Sequence, residues 1–293
     1  MKYINKNLTI EKVSLQSIAK KYGTPAYVYS ASKFKENLNR YLSVVGENDK
    51  ICYSVKSNSN IHILSMLSKL GSGFDVVSGN ELKKCLEAGA KAKNIVFSGV
   101  GKTKEEILLA IKENIFSINI ESEEELDRII EISKELGVKT NCFIRVNPDI
   151  RAKSHPYIQT ALKTSKFGVS KEVIEPLVKK ASQSGAVNII GIASHIGSQI
   201  FDKTLILENL DLLIGLTNQL IDLGHQISYL DLGGGLGIRY KEEKEIEPNK
   251  MIEQVLSILK PLKLNLIVEP GRTISGNAGV LISKVEYLKK TSE

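Results

Sequence analysis

Lys56 stands at the end of an apolar, β-branched run, directly after Val55, so its stem starts among apolar side chains. Apolar walls disfavour an ammonium ion, and a neutral amine attacks carbonyl carbon, so Lys56 is a candidate for covalent attachment to an aldehyde. Glu269 ends another strongly apolar run, where a carboxylate is costly unless a cation meets it. A protonated pyridine nitrogen would be such a cation. The run Asp231-Leu232-Gly233-Gly234-Gly235-Leu236-Gly237 follows an apolar stretch and offers bare backbone N–H groups to a phosphate. It departs from the dinucleotide pattern G-x-G-x-x-G, because Gly237 falls one place early. Pro270, Gly271 and Arg272 follow Glu269, and the guanidinium of Arg272 could add charge at the same phosphate. His195 ends an apolar run beside Gly197 and Ser198, which suits either a core histidine or a flat ring at a site. A lysine, a phosphate cradle and a buried carboxylate together are what pyridoxal 5'-phosphate needs: a hold on its aldehyde, on its phosphate and on its ring nitrogen.

These residues sit at regular places in an alternating pattern. Strand-like runs over 51–55, 74–77, 95–98, 117–120, 141–146, 189–195, 229–232 and 265–269 are separated by amphipathic segments such as 105–113, 123–136, 171–184 and 205–223. Strands joined through helices pair in parallel, and eight is the number that closes a sheet on itself. The expected fold is α/β, a (β/α)8 TIM-like barrel. Such barrels place chemistry at the C-terminal ends of their strands. Lys56, Asp75, Ser78, Glu81, Ser98, Glu121, Arg145, His195, the glycine run and Glu269 all fall there. The stretch Gly101-Lys102-Thr103 resembles the end of a P-loop, but Val96 occupies the position that requires the earlier glycine, so that motif is rejected.

The 293 residues carry 40 Lys and Arg against 33 Asp and Glu, a net charge of +7. The lysines are scattered beside glutamates, with no basic stripe interleaved with aromatics, so no nucleic-acid partner is expected. No apolar run approaches a membrane span, and the start has no apolar signal core, which points to the cytoplasm and to no membrane partner. Three cysteines lie far apart, two of them in apolar runs, and read as buried free thiols in a reducing compartment. Four scattered histidines give no metal-ligand spacing.

The motifs are also familiar. Tyr53-Ser54-Val55-Lys56-Ser57-Asn58 resembles the pattern around the cofactor lysine of fold-type III pyridoxal-phosphate-dependent decarboxylases, as does Phe74-Asp75-Val76-Val77-Ser78-Gly79-Asn80-Glu81-Leu82. Phe97-Ser98-Gly99-Val100-Gly101-Lys102, Ser165-Lys166-Phe167-Gly168, the glycine run, Glu269-Pro270-Gly271-Arg272 and Gly276-Asn277-Ala278-Gly279 follow in the family's order. His195-Ile196-Gly197-Ser198-Gln199 has the form usual in the diaminopimelate decarboxylases of that family. The resemblance covers essentially the whole chain. It implies that Lys56 carries the cofactor and that His195 stacks on its ring. It puts Ser198, Gly233, Gly234, Gly235, Pro270, Gly271 and Arg272 at the phosphate, with Arg272 also at the distal end of the substrate. Glu269 would face the ring nitrogen, and Asp75 and Arg145 would lie beside Lys56. Lys56, His195 and Glu269 would be the catalytic residues, with no metal. The implied reaction is loss of CO2 from meso-2,6-diaminopimelate to give L-lysine. Alternatives are a related decarboxylase of ornithine, arginine or carboxynorspermidine, or a non-catalytic cofactor-binding barrel. Gln199 and the segment 276–279 speak against ornithine and arginine.

The expected organisation is an N-terminal segment, 1–30, associated with a second β domain, a cofactor-binding barrel over 31–279, and the start of that β domain over 280–293. The run over 280–288 reads as a strand without a partner in the chain. Family members continue into the β domain, which reaches the partner subunit's site, so a homodimer is expected of the full-length form and low activity of this chain alone. Ala161 replaces a glycine frequent in the family, within a polar loop over 147–166 that is long for a barrel connection.

Overall fold

The computed structural model describes residues 2–150 and 166–291. The expectation for Ala161, and most of the loop that holds it, lies outside the described residues.

The chain opens with a small antiparallel sheet of β1 (Lys2–Ile4), β2 (Asn7–Ile10) and β3 (Val13–Ser14), then α1 (Leu15–Tyr22) and β4 (Ala26–Tyr29). The barrel follows. Its strands are β5 (Lys50–Ser54), β6 (Gly73–Val76), β7 (Ile95–Phe97), β8 (Ser117–Ile120), β9 (Thr140–Arg145), β10 (Val187–Ala193), β11 (Tyr229–Asp231) and β12 (Asn265–Val268). They pair in parallel in sequence order, and β12 closes on β5 through Ile267–Lys50 and Val268–Ile51. The outer ring begins with α2 (Ala31–Leu42), α3 (Ile61–Lys69), α4 (Gly79–Glu87), α5 (Lys104–Lys112) and α6 (Glu123–Leu136). It continues with α7 (Ile174–Ser184), α8 (Lys203–Asp222), α9 (Pro248–Leu259) and the short α10 (Arg272–Ser275). This is the (β/α)8 barrel that the alternation predicts.

The period of two along each strand explains why the site forms where it does. Ile51, Tyr53, Phe74, Val76, Ile95, Phe97, Ile118, Ile120, Ile144, Leu230, Leu266 and Val268 point outward and join the main core beneath the helices. Their neighbours point into the lumen. Low in the lumen, Cys52, Val96, Phe143, Ala193 and Ile267 form a separate apolar cluster, plugged by Phe116 and Tyr229. Gly191 has no side chain because a Cβ there would collide with the Phe143 ring. One layer higher the same inward positions carry Ser54, Asp75, Asn119, Arg145, Asp231 and Glu269, all nine-tenths or more buried. The lumen is therefore apolar at its base and polar at its C-terminal mouth.

Two rim residues that suggested chemistry, Ser78 and Glu81, serve the start of a helix, and the neighbouring helices are capped likewise. Ser78 Oγ accepts from the backbone N–H of Glu81 at the start of α4, and the Glu81 carboxylate accepts from Val77 N–H. Thr103 and Glu106 form a capping box on α5, and Ser122 caps α6.

The strand expected over 280–288 is shorter, and it does have a partner. β13 (Gly279–Ile282) pairs antiparallel with β4, with Val280 opposite Val28. Residues 283–291 form no strand, and Tyr287 and Leu288 are exposed. The tail beyond Ile282 mixes Val285, Tyr287 and Leu288 with charged residues but meets no described strand that could hold it in register.

Candidate active site

Lys56 lies two residues past β5, in a 3-10 turn over Val55–Ser57, rather than in the strand. The turn lifts its side chain out of the lumen, and the side chain is 51% exposed. Its Nζ is 3.2 Å from Oδ2 of the fully buried Asp75 on β6. That carboxylate pushes the lysine above its ordinary value and outweighs burial, with Glu269 adding to the effect. The expectation of a neutral amine among apolar walls is thus corrected: Asp75 holds Lys56 as a cation. Ser54 Oγ bridges this pair to the end of β12, lying 3.0 Å from Asp75 Oδ2 and 2.9 Å from the Glu269 carbonyl.

Glu269 follows β12 immediately, and its backbone N–H donates to the Gly233 carbonyl at 2.7 Å. Burial, then Asp231 and Asp75, push its carboxyl well above the usual range. One of its oxygens, Oε1, is buried without a hydrogen-bond partner. His195 lies two residues beyond the end of β10. Burial, then Lys56 and Arg145, hold it well below its ordinary value, so it is the neutral imidazole. Its Nδ1 accepts from Gly234 N–H at 3.3 Å, which leaves the proton on Nε2.

The glycine run is a tight cradle. Gly233 and Gly235 have φ of 66° and 107°. A Cβ on Gly234 would strike the Glu269 carbonyl, and one on Gly235 the Gly197 carbonyl. Gly271 packs against Ser54 and Ser57, where a Cβ would meet both side chains at 3.1 and 3.3 Å. Arg272 opens α10 beside this cradle. Its Nε donates to Ser198 Oγ at 3.3 Å and its Nη1 to the Tyr240 hydroxyl at 2.7 Å. Lys56, His195, Ser198, Gly235, Glu269, Gly271 and Arg272 line one cleft of about 470 Å³. Asp75, Gly233 and Gly234 support it through the contacts described, and the Pro270 carbonyl accepts from Ser54 N–H at 3.1 Å.

Arg145 is at the same rim but is engaged elsewhere. Its Nη1 donates to Glu121 Oε1 at 2.7 Å, and its guanidinium lies 4.8 Å over the Phe167 ring. Glu121 also accepts from Gly99 N–H and Gly168 N–H, so one carboxylate ties three rim segments together. Sequence reasoning puts Glu121 at the rim without a task, and it leaves Ser54, Asp231 and Tyr240 out of the site. The alternation of inward and outward residues is the signal that could have found Ser54, Glu121 and Asp231. Tyr240 carries no such signal, because it follows the glycine loop.

The cradle can be tested. Gly235→Ala forces a non-glycine residue into a left-handed conformation, at a cost of about 1–3 kcal/mol before the clash with Gly197 is counted. The substituted protein is expected to melt at lower temperature and to bind pyridoxal phosphate more weakly. An unchanged melting curve and cofactor affinity would contradict the cradle.

The geometry suits pyridoxal phosphate. A charged lysine, a buried acceptor oxygen lacking a donor, a neutral ring and a glycine cradle meet at one cleft. Residues 31–276 match the family described as pyridoxal-dependent decarboxylase, pyridoxal binding domain. That defines the class: a cofactor-binding barrel of the pyridoxal-dependent decarboxylases, with pyridoxal 5'-phosphate as cofactor. Within the class, the chain is 42% identical over 290 residues to the diaminopimelate decarboxylase of Pseudomonas aeruginosa, covering 99% of this chain and 70% of that protein. It is 43% identical to the diaminopimelate decarboxylase of Aquifex aeolicus, covering 99% of this chain and 69% of that one. The crystal structure of the Helicobacter pylori diaminopimelate decarboxylase complexed with L-lysine superposes with a TM-score of 0.90 at 40% identity, covering 94% of this chain and 70% of that one. The chain belongs to the diaminopimelate decarboxylase family. No helix among the described residues is long and apolar enough to cross a membrane.

Proposed function

We propose that the chain takes part in decarboxylating meso-2,6-diaminopimelate to L-lysine. The observation that carries this is the meeting of Lys56, with its Asp75 partner, and the buried Oε1 of Glu269 in one glycine-lined cleft. The match to diaminopimelate decarboxylases over nearly the whole chain selects the substrate. Bound pyridoxal phosphate supplies an electron sink for the pair released when the carboxylate leaves the α-carbon. The residues of this chain do the rest. Lys56 holds the aldehyde end, and Asp75 favours positive charge on the lysine nitrogen. His195, a neutral flat ring fixed through Nδ1, packs against the cofactor face. Glu269 holds a proton at the ring nitrogen. Gly233, Gly234, Gly235, Gly271 and Ser198 surround the phosphate, and Pro270 shapes the turn between them. Arg272, aimed by Ser198 and Tyr240, serves the phosphate and the distal carboxylate of the substrate. Arg145, held by Glu121, shapes the field at Lys56 without touching it.

The sheet of β4 and β13 belongs, in this reading, to a β unit separate from the barrel, and the active form is a cytoplasmic homodimer. Support for the compartment is three cysteines held as buried free thiols. Support for the dimer is the family resemblance.

The experiment is to supply meso-diaminopimelate and pyridoxal phosphate to the chain, alone and extended by the C-terminal residues of a relative, and to assay L-lysine and CO2. Lysine is expected from the extended form. Faster turnover of ornithine or arginine would overturn the substrate. Cofactor binding without turnover of any of these would favour a non-catalytic barrel.

A further inference from the structure

Three carboxyl groups meet in the polar layer of the lumen: Asp75 on β6, Asp231 on β11 and Glu269 after β12. Each is at most 7% exposed. Among the described residues one cation, Lys56, faces them, because Arg145 is matched by Glu121 at 2.7 Å. Cys52 also faces the pair, and burial pushes its thiol well up, so it adds no charge. Three buried anions against one half-exposed ammonium is a costly arrangement.

The hydrogen bonds show where the excess lies. Asp231 Oδ1 accepts from Gly233 N–H at 2.8 Å. Its Oδ2 has no donor, and neither has Glu269 Oε1. The two side chains enter the lumen from neighbouring strands, Asp231 pairing with Ile267 two residues before Glu269, and the charge of Asp231 raises Glu269 further. Two acceptor-only carboxylates satisfy each other only if a proton lies between them. Asn119 Nδ2 gives one of its two hydrogens to Ser98 Oγ at 3.0 Å, and its Oδ1 is one more buried acceptor without a donor.

Resting on the reading of Glu269 given above, we propose that Asp231 is a positioning residue for the reaction. In the cofactor-free protein it holds one proton jointly with Glu269; with cofactor bound that proton would lie at the ring nitrogen, and the charged Asp231 would strengthen the grip of Glu269 on it. Asp231 does not touch the cofactor. It acts from the far side of Glu269, as a neighbouring negative charge that makes the glutamate the stronger base. The same side chain fixes the first N–H of the glycine cradle, so the phosphate site and the ring-nitrogen site share one residue. Burial pushes Asp231 up to about 7, in keeping with a proton kept to neutral pH.

The test compares binding of pyridoxal phosphate with binding of its analogue in which carbon replaces the ring nitrogen, in wild type and in Asp231→Asn. Asparagine keeps an Oδ1 acceptor for Gly233 N–H and removes the charge. Wild type is expected to prefer the natural cofactor. Asp231→Asn is expected to lose about tenfold of that preference, with affinity for the analogue unchanged. An unchanged preference overturns the proposal, as does a parallel fall in both affinities, which would mean that Asp231 only shapes the glycine loop. No preference in wild type would instead sink the role of Glu269 itself.

A second measurement needs no variant. In the cofactor-free protein, infrared spectra should show a protonated buried carboxyl persisting to a pH of about 7. An acid raised in the fold stabilises it below the ordinary carboxylate range, and that contribution is lost as pH climbs to about 7, so the melting temperature should fall across this window. Absence of any protonated carboxyl above the ordinary range overturns the proposal.

Discussion

Replacing Lys56 by alanine is expected to lower turnover about a thousandfold or more and to abolish covalent retention of the cofactor. The expectation follows from position and charge together. Lys56 is the ammonium group facing the cleft from the end of β5, and Asp75, fully buried at 3.2 Å, stabilises positive charge at that nitrogen. Among the described residues no neighbouring lysine is placed to substitute. Lys102 is buried and already bonded to Gly99 O, Asn119 O and Glu125. The fold should survive, because the Lys56 side chain is half-exposed and packs no core. The checks are gel filtration after exhaustive dialysis, visible absorbance of bound cofactor, and product assay in the extended form. Retained visible absorbance in Lys56→Ala would remove this lysine from its role.

Glu269→Gln is expected to lower turnover by about a hundredfold or more while lowering cofactor affinity by about tenfold, the share that its grip on the ring nitrogen contributes. An amide has nearly the shape of the carboxyl, so the packing beneath the glycine loop is kept, and the backbone bond from Glu269 N–H to Gly233 O is unaffected. What is lost is a base able to hold a proton at the ring nitrogen. Binding is carried mostly by the phosphate cradle and Lys56, and the substitution touches neither. Turnover comparable to wild type would take Glu269 out of the mechanism. A collapse of cofactor affinity would recast it as a binding residue.

Both residues are legible in the amino-acid sequence, for a physical reason. A charged group at the end of an apolar run must be paired or functional, and alternation with helices fixes which end of a barrel it occupies. His195 and the glycine run are legible in the same way. The charge state of Lys56 is not. Val55 precedes it, and that apolar context suggests a neutral amine. Only the lateral register of β5 on β6, Ser54 against Asp75, brings the carboxylate that reverses the conclusion. Register between neighbouring strands is a property of closure and carries no local signature. The partner of β13 is hidden on similar grounds: β4 lies about 250 residues away, and antiparallel pairing over that separation leaves no mark in either segment. Asp231 sits inside a motif dominated by its glycines, although its place on the lumen side can be counted from Leu230 and Leu232.

The most direct measurement is to reduce the cofactor-loaded chain with borohydride, digest it, and locate the pyridoxyl group by mass spectrometry. A single modified peptide is expected, containing Tyr53 to Asn58 with the label on Lys56, and none should form in Lys56→Ala. A label on any other lysine, or no label in protein that has taken up pyridoxal phosphate, would contradict the assignment of this cleft.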